Sequence, residues 1–194
     1  GATQIGDLTS GSITVDNVEA ADSDGISGML TLDATRNNAN IVFETLSSTF
    51  NSLTAKADDG ISLSVDLITD IGDIILEADS DNNADSNDKI SLTGTRTLTS
   101  AKDMILDATS STGIEADSTL VLNAVDSLTI NDNLTTDGVT TIDVDSDDSG
   151  VGNLTLATSM TIDTQNSAAT IAANDIILDG SLTTGTANLN LLVS

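Results

Sequence analysis

The residues most able to do chemistry in this chain are carboxylates and amides at alternate positions in two short loops. Such spacing is typical of calcium loops, where a turning backbone brings alternate oxygen atoms onto one ion. Neither loop has the glycine at position six or the glutamate at position twelve of an EF-hand. The sequence therefore predicts calcium as a candidate cofactor, with solvated acidic loops as the alternative. The candidate metal ligands are Asp79, Asp81, Asn83, Asp85, Asp143, Asp145 and Asp147.

The composition argues against several other functions. The formal net charge is -26, with 31 acidic and 5 basic residues, and such a surface repels nucleic acid and anionic lipid. The chain has no histidine or cysteine, which removes the commonest general base and any thiolate site. A polysaccharide-cleaving enzyme would need carboxylates backed by arginine and aromatic platforms for sugar rings, yet tryptophan and tyrosine are missing. We therefore expect a protein that is not an enzyme and has no catalytic residues.

A short apolar run closed by polar residues recurs along the chain, most clearly at 103–109. Its copies are separated on average by roughly 21 residues, and a period of that size is typical of solenoids. Within the copies, apolar and small polar residues alternate, which predicts short, half-buried strands. When the copies are aligned on the residue before the acid or amide, they fall at Leu32, Ala55, Leu76, Leu106, Leu122, Ile142, Ile162 and Leu178.

These patterns predict an all-β fold, a right-handed parallel β-helix of roughly nine coils with about 21 residues each. We expect one domain over residues 1–194, with acidic corner loops near 79–88 and 143–150 and a smaller one at 21–25. No stretch has helical spacing, and no apolar run is long enough for membrane insertion. The alternative fold, tandem small β-sandwiches, is disfavoured because such domains use the prolines and aromatic residues that this chain lacks.

The repeats at 127–135 and 152–162 resemble the shaft repeats of filamentous-haemagglutinin-type bacterial exoproteins. That family consists of large adhesins exported by a two-partner route, and their shafts are right-handed parallel β-helices. The secretion domain of the family carries Asn-Pro motifs, and this chain has no proline. The resemblance therefore implies a shaft segment, and it identifies no functional residue.

The sequence favours a structural role at the cell surface or outside the cell, as an adhesin shaft or a self-stacking fibre subunit. The last residues, 189–194, predict an uncapped strand, so the expected partner is a second copy stacked head to tail, or the flanking coils of a longer chain. A host or matrix surface is a further candidate partner. The alternative function is a calcium-dependent adhesion module that binds a glycan or a protein through its corner loops. Threonine occurs at alternate positions in 93–99, as on a flat ice-binding face. Ice binding is disfavoured, because the other coils do not repeat these threonines.

Two aromatic residues and five basic residues complete the prediction. Phe43 and Phe50 are interpreted as core packing, with an exposed anchor for a partner as the alternative. The basic residues are expected to neutralise nearby carboxylates, each contributing little at the surface. They are Arg36, Lys56, Lys89, Arg96 and Lys102.

Overall fold

A computed structural model describes residues 1–83, 87–108 and 113–193, and these residues form a parallel β-solenoid of eight coils. Each coil contributes one strand to each of three sheets, except that the first coil has no strand in the third sheet. The first sheet contains β1 (Thr3–Gly6), β3 (Leu30–Ala34), β6 (Leu53–Ala57), β9 (Ile74–Glu77), β12 (Asp103–Asp107), β15 (Ser127–Ile130), β18 (Asn153–Leu156) and β21 (Asp175–Leu178).

The second and third sheets follow in the same order within each coil. The second sheet contains β2 (Ile13–Asp16), β4 (Ile41–Glu44), β7 (Ile61–Leu63), β10 (Ile90–Leu92), β13 (Ile114–Ala116), β16 (Leu134–Thr136), β19 (Thr161–Asp163) and β22 (Ser181–Thr183). The third sheet contains β5 (Ser48–Phe50), β8 (Leu67–Thr69), β11 (Arg96–Ser100), β14 (Leu120–Ala124), β17 (Thr140–Val144), β20 (Ala169–Ala173) and β23 (Leu189–Val193). We call the connections that follow the first, second and third sheets the first, second and third corners.

Alternation along each strand builds the core. In β14 the side chains of Leu120, Leu122 and Ala124 point inward and are buried, whereas Val121 and Asn123 point outward. Strands of successive coils pair in parallel and in register, so Leu122 lies between Leu98 of the coil below and Ile142 of the coil above. Like residues therefore stack into columns, which is how a single coil too thin to bury its own apolar face is stabilised.

The parallel β-helix is confirmed, and its eight coils are close to the nine predicted. Six steps along the first sheet carry the chain from Leu32 to Leu178, so a coil averages about 24 residues. The aligned copies of the repeat lie in different sheets, since Leu122 and Ile142 belong to the third sheet and Ile162 to the second. The right-handed sense stays a prediction.

One short helix, α1 (Ala20–Ser23), takes the place of the missing third-sheet strand in the first coil. The sequence predicted an acidic loop at 21–25, but Glu19 and Asp22 form a reciprocal capping box that begins a helical turn. The turn lies against β5, whose edge it covers. Across the residues that the structure describes, no helix is long and apolar enough to cross a membrane.

The inward residue next to each corner changes character along the rod. At the second corner, coils two to four have Phe43, Leu63 and Leu92, all buried. In coils six to eight the corresponding residues are threonines whose hydroxyls donate across the corner to backbone carbonyls. These bonds are Thr136 to Gly138 (3.3 Å), Thr164 to Ser167 (2.5 Å) and Thr184 to Ala187 (2.9 Å).

Candidate functional site

The two predicted metal-binding loops lie at different edges of the rod. The loop at 79–88 forms the first corner of coil four, between β9 and β10. The loop at 143–150 begins in β17 and forms the third corner that leads to β18. The structure therefore does not bring the seven predicted ligands into one site, and Asp85 lies outside the described residues.

In the first loop two of the predicted ligands, Asp81 and Asn83, are hydrogen-bonded to each other. Asp81 accepts the backbone N–H of Asn83 at Oδ1 (2.9 Å) and its side-chain amide at Oδ2 (2.8 Å). These hydrogen bonds lower the pKa of the Asp81 carboxyl, and a smaller contribution comes from the Asp58 side chain. Asp79 is buried at the base of the loop. The loop is thus a turn that Asn83 closes onto Asp81.

The first corner also holds buried carboxylates that the sequence did not single out: Asp58, Asp88 and Asp132. Asp58 accepts the backbone N–H of Asn38 (2.7 Å), and Asp132 accepts that of Ala108 (2.8 Å). Each bond joins neighbouring coils. Carboxylates in these positions can close the corner because they satisfy backbone donors that no strand reaches.

Asp132 is the most unusual of these acids because it stands at an inward position. It lies two residues after Ile130, as Ala108 lies two residues after its register partner Leu106. Burial raises the pKa of the Asp132 carboxyl, and Asp107 and Asp79 add to the rise, although the Ala108 hydrogen bond opposes it. The equivalent position of Ala108 in the preceding coil is the sequence signal that could have found it.

In the second loop, Asp145 holds the chain in place. Its carboxylate is almost fully buried, and it accepts the Gly150 N–H at both oxygens (3.1 and 3.0 Å) and the Ser149 hydroxyl at Oδ1 (3.0 Å). Asp147 accepts the Ser149 N–H at 3.2 Å. Two of the predicted ligands therefore stabilise the loop through hydrogen bonds, as aspartates in turns commonly do.

Asp143 projects outward from β17 close to this loop. Burial raises the pKa of the Asp143 carboxyl, and the nearby charges of Asp148 and Asp145 raise it further. Two of the predicted ligands, Asp143 and Asp145, thus lie near each other, together with Asp148, which the alternate spacing omitted. In the ranges 1–83, 87–108 and 113–193, no group of three or more carboxylates is arranged to hold a metal ion. Calcium at either loop stays a prediction.

Three of the basic residues join successive coils through ion pairs. Lys56 contacts Glu77 at 2.7 Å, and Lys89 contacts Glu115 at 2.6 Å. The guanidinium of Arg96 lies 3.6 Å from Asp66, which also accepts the Thr97 N–H at 2.9 Å. These carboxylates and cations are partly exposed, so each pair contributes little to stability.

A cavity of about 290 Å³ on the second sheet is lined by the carboxylates of Glu115, Asp117 and Asp137. Glu115 is paired with Lys89, and Asp117 accepts the backbone N–H of Gly94 at 2.6 Å. Both acids therefore connect coil five to coil four. The three carboxylates can attract cations. The ion pair of Glu115 and the hydrogen bond of Asp117 have a structural role, because they join two coils.

The predicted roles of the aromatic residues can be decided from their burial. Phe43 and Phe50 are 0 % and 2 % exposed, which confirms core packing and is incompatible with an exposed anchor. Phe43 stacks in the second-corner column, and Phe50 ends β5 beneath α1.

Comparison with known proteins adds no family to this description. The chain matches no family model, no curated protein and no solved structure. The likeness to filamentous-haemagglutinin-type shaft repeats stays a prediction from the repeats.

Proposed function

We propose that this chain is a structural rod of an extracellular surface protein, acting as an adhesin shaft or as a self-stacking fibre subunit. The observation that supports it best is the unbroken register of the three sheets. Every strand pairs in parallel with the strand of the next coil, through eight coils in the first and second sheets and seven in the third. Such a structure is a stiff spacer, because bending it would break hydrogen bonds in at least one sheet.

The surface chemistry supports the same role. With a net charge of -26, neighbouring rods repel one another at low ionic strength and stay separate. Divalent cations would reduce that repulsion and let rods approach. The described carboxylates at the corners hold the coils together, which is a structural use of acidic residues.

The rod also presents an apolar edge for an axial neighbour. In β23 the side chains of Leu189, Leu191, Leu192 and Val193 are exposed, and a further coil would bury the three inward ones, Leu189, Leu191 and Val193. That coil would come from flanking sequence or from a second copy. In a head-to-tail pair, β21 and β22 would meet β1 and β2 of the next copy, whereas β23 would face α1.

Electron microscopy of negatively stained protein, with calcium and with a chelator, tests this function. We expect rods of constant width, with a single chain roughly 40 Å long at a strand spacing of about 4.8 Å. A fibre subunit would give long filaments under both conditions. Filaments that form only with calcium would make the acidic loops part of assembly. Flexible or globular particles under both conditions would reject the rod.

A pair of variants separates stacking from lateral aggregation. Leu191→Asp puts a charge on the axial edge and should shorten any filaments to single rods. Ile71→Asp puts the same charge on an exposed side chain at a lateral corner, and filaments should persist. Equal loss in both variants would show that the filaments form by lateral association.

A further inference from the structure

A cavity lies beside α1, where the structure departs from the regular solenoid. Where a helical turn replaces the third-sheet strand of coil one, a cavity of about 400 Å³ lies between this turn and coil two. Pockets for small molecules have volumes of roughly 300–1,000 Å³ and are mainly apolar. The cavity fits that description, since its apolar lining includes Ile13, Val15, Val18, Leu30, Leu32 and Phe50.

The roof of this cavity is held in place by specific contacts. The Thr49 N–H donates to the Val18 carbonyl at 2.8 Å, and the Val18 N–H donates to the Ser48 hydroxyl at 3.2 Å. Ser23, which is also buried, donates from its hydroxyl to the Thr49 carbonyl at 3.4 Å. These bonds tie the segment around α1 to β5. The cavity is therefore already formed before a ligand enters it.

The charged side chains at the cavity are acidic. Asp16 and Asp22 are the charged residues among its described lining, and both are exposed. Asp22 is oriented by the Glu19 N–H, which donates to Oδ2 at 3.0 Å. The rest of the chain adds a strongly negative field. An apolar interior with carboxylates at its edge is complementary to a molecule with a hydrocarbon body and one positive charge.

We propose that this cavity binds a small amphiphilic cation, a primary alkylamine or arylalkylamine. The hydrocarbon tail lies among Val15, Val18 and Leu32, and the ammonium group lies at Asp16 and Asp22. The site would compete with head-to-tail stacking, because β1, β2 and α1, which line the cavity, would face the last coil of a second copy in such a pair.

Calorimetric titration of the intact chain with n-octylamine at low ionic strength tests the site. The amine is fully protonated at pH 7, since alkylammonium groups have a pKa near 10. We expect one saturable site. Each buried methylene should tighten binding roughly fourfold, so octylamine should bind about fifteenfold more tightly than hexylamine. Octanoate has the same tail and the opposite charge, and it should bind at least about tenfold more weakly than octylamine.

Matched variants locate the site. Asp16→Asn combined with Asp22→Asn should weaken octylamine binding roughly threefold to tenfold, the range expected for two exposed charges. Asp24→Asn combined with Asp147→Asn makes the same change in net charge away from the cavity lining, and binding should be unchanged. Val15→Trp should fill the cavity and abolish binding, and circular dichroism shows whether that variant folds.

Five results would overturn the proposal. Equal weakening by both double variants would show that the amine binds to the acidic surface in general. Octanoate binding as tight as octylamine would remove the role of the carboxylates. In NMR spectra, octylamine should shift the methyl resonances of Val15, Val18 and Leu32, and shifts confined to other residues would place the ligand elsewhere. Undiminished binding to a folded Val15→Trp variant would also place it elsewhere. Sedimentation showing that two copies meet at this cavity, with no octylamine bound, would identify a second chain as its occupant.

Discussion

The second corner is built in two ways in the two halves of the rod. In coils two to four it is packed with large apolar side chains, Phe43, Leu63 and Leu92. In coils six to eight it is closed by threonine hydroxyls that bond to carbonyls across the turn. The same backbone path is therefore stabilised by packing in one half and by hydrogen bonds in the other.

The third corner follows a different order, since coil two has Phe50 at this position and coils three and four have polar residues. There the polar residues occur early, with Thr69 donating to the Gly72 carbonyl (2.6 Å) and Ser100 donating to the Asp103 carbonyl (2.7 Å). Coil five separates the two regimes, because alanine stands at all three corners: Ala108, Ala116 and Ala124. A corner can therefore hold a hydroxyl, a large apolar side chain or an alanine. The residue type changes from coil to coil while the strands stay in register.

Removing the largest apolar corner residue should have the largest effect. We expect Phe43→Ala to lower the free energy of unfolding by about 3–5 kcal/mol, because its buried ring cannot be replaced by collapse of the sheets. Urea denaturation measures this loss. The control is Val42→Ala, whose side chain points outward on the same strand and should cost less than about 1 kcal/mol. Equal losses would mean that packing does not distinguish the early coils.

Removing a corner hydroxyl should have an intermediate effect. Thr164→Val keeps the shape of the side chain but leaves the Ser167 carbonyl without its donor, which should cost about 1–3 kcal/mol. Thr170→Val, on the outward face of β20, is the control and should be nearly neutral. A neutral Thr164→Val would show that water replaces the hydroxyl and that the later corners do not depend on it.

The Asp132 carboxyl should make the first corner of coil six sensitive to pH. The pKa of this carboxyl is higher in the folded protein than its ordinary value of 3.8, so the protonated form stabilises the fold. This contribution is fully present below pH 3.8 and is lost as the pH rises through the folded-state pKa. Asp132→Asn should therefore raise Tm at pH 7 and leave it unchanged at pH 3.

The opposite sign is expected at Asp81, whose pKa is lowered in the folded state. Stability from Asp81 is present above its ordinary pKa and is lost as the pH falls through the folded value. Asp81→Asn should thus lower Tm at pH 7, by less than the change at the buried site. If Tm at pH 7 rose in both variants, the cause would be the loss of one negative charge from the chain. The local environment of each carboxyl would then not explain the change.

Transferring the hydroxyl into coil five should have the smallest effect. Ala116 is in register with Thr136, and the two corners have the same length. In Ala116→Thr the new hydroxyl should reach the Ser118 carbonyl and contribute about 0.5–1.5 kcal/mol, which the added volume partly offsets. We therefore expect a net change within about 1 kcal/mol in urea denaturation. A loss above about 2 kcal/mol would show that coil five is too tightly packed to accept the later kind of corner.

The architecture could be predicted because alternation is local. Runs such as 90–92, 128–130 and 154–156 alternate apolar and polar residues, and each is part of a strand. The assignment of repeats to sheets could not be predicted, because strands of all three sheets share this alternation and end in polar turns. The helical turn α1 is too short for a 3.6-residue period to show.

The acidic residues were harder to interpret. Aspartate forms turns, caps backbone donors and binds cations, so its spacing alone does not separate these uses. Asp145 and Asp81 fit the calcium spacing, yet their oxygens accept bonds from their own loops. Asp132 does not fit that spacing, and its inward position depends on register with a coil about 24 residues away, information that a local pattern lacks.

The direction of the backbone hydrogen bonds determines how the rod responds to tension. The bonds between coils point along the rod, so a pull on its two ends loads them one coil at a time. Under such force the solenoid should unwind from an end in discrete steps. Each released coil of about 24 residues would lengthen the chain by roughly 80 Å, since an extended residue spans about 3.3–3.6 Å. A spacer of this design resists bending but lengthens under tension, absorbing a sudden pull through the successive loss of whole coils.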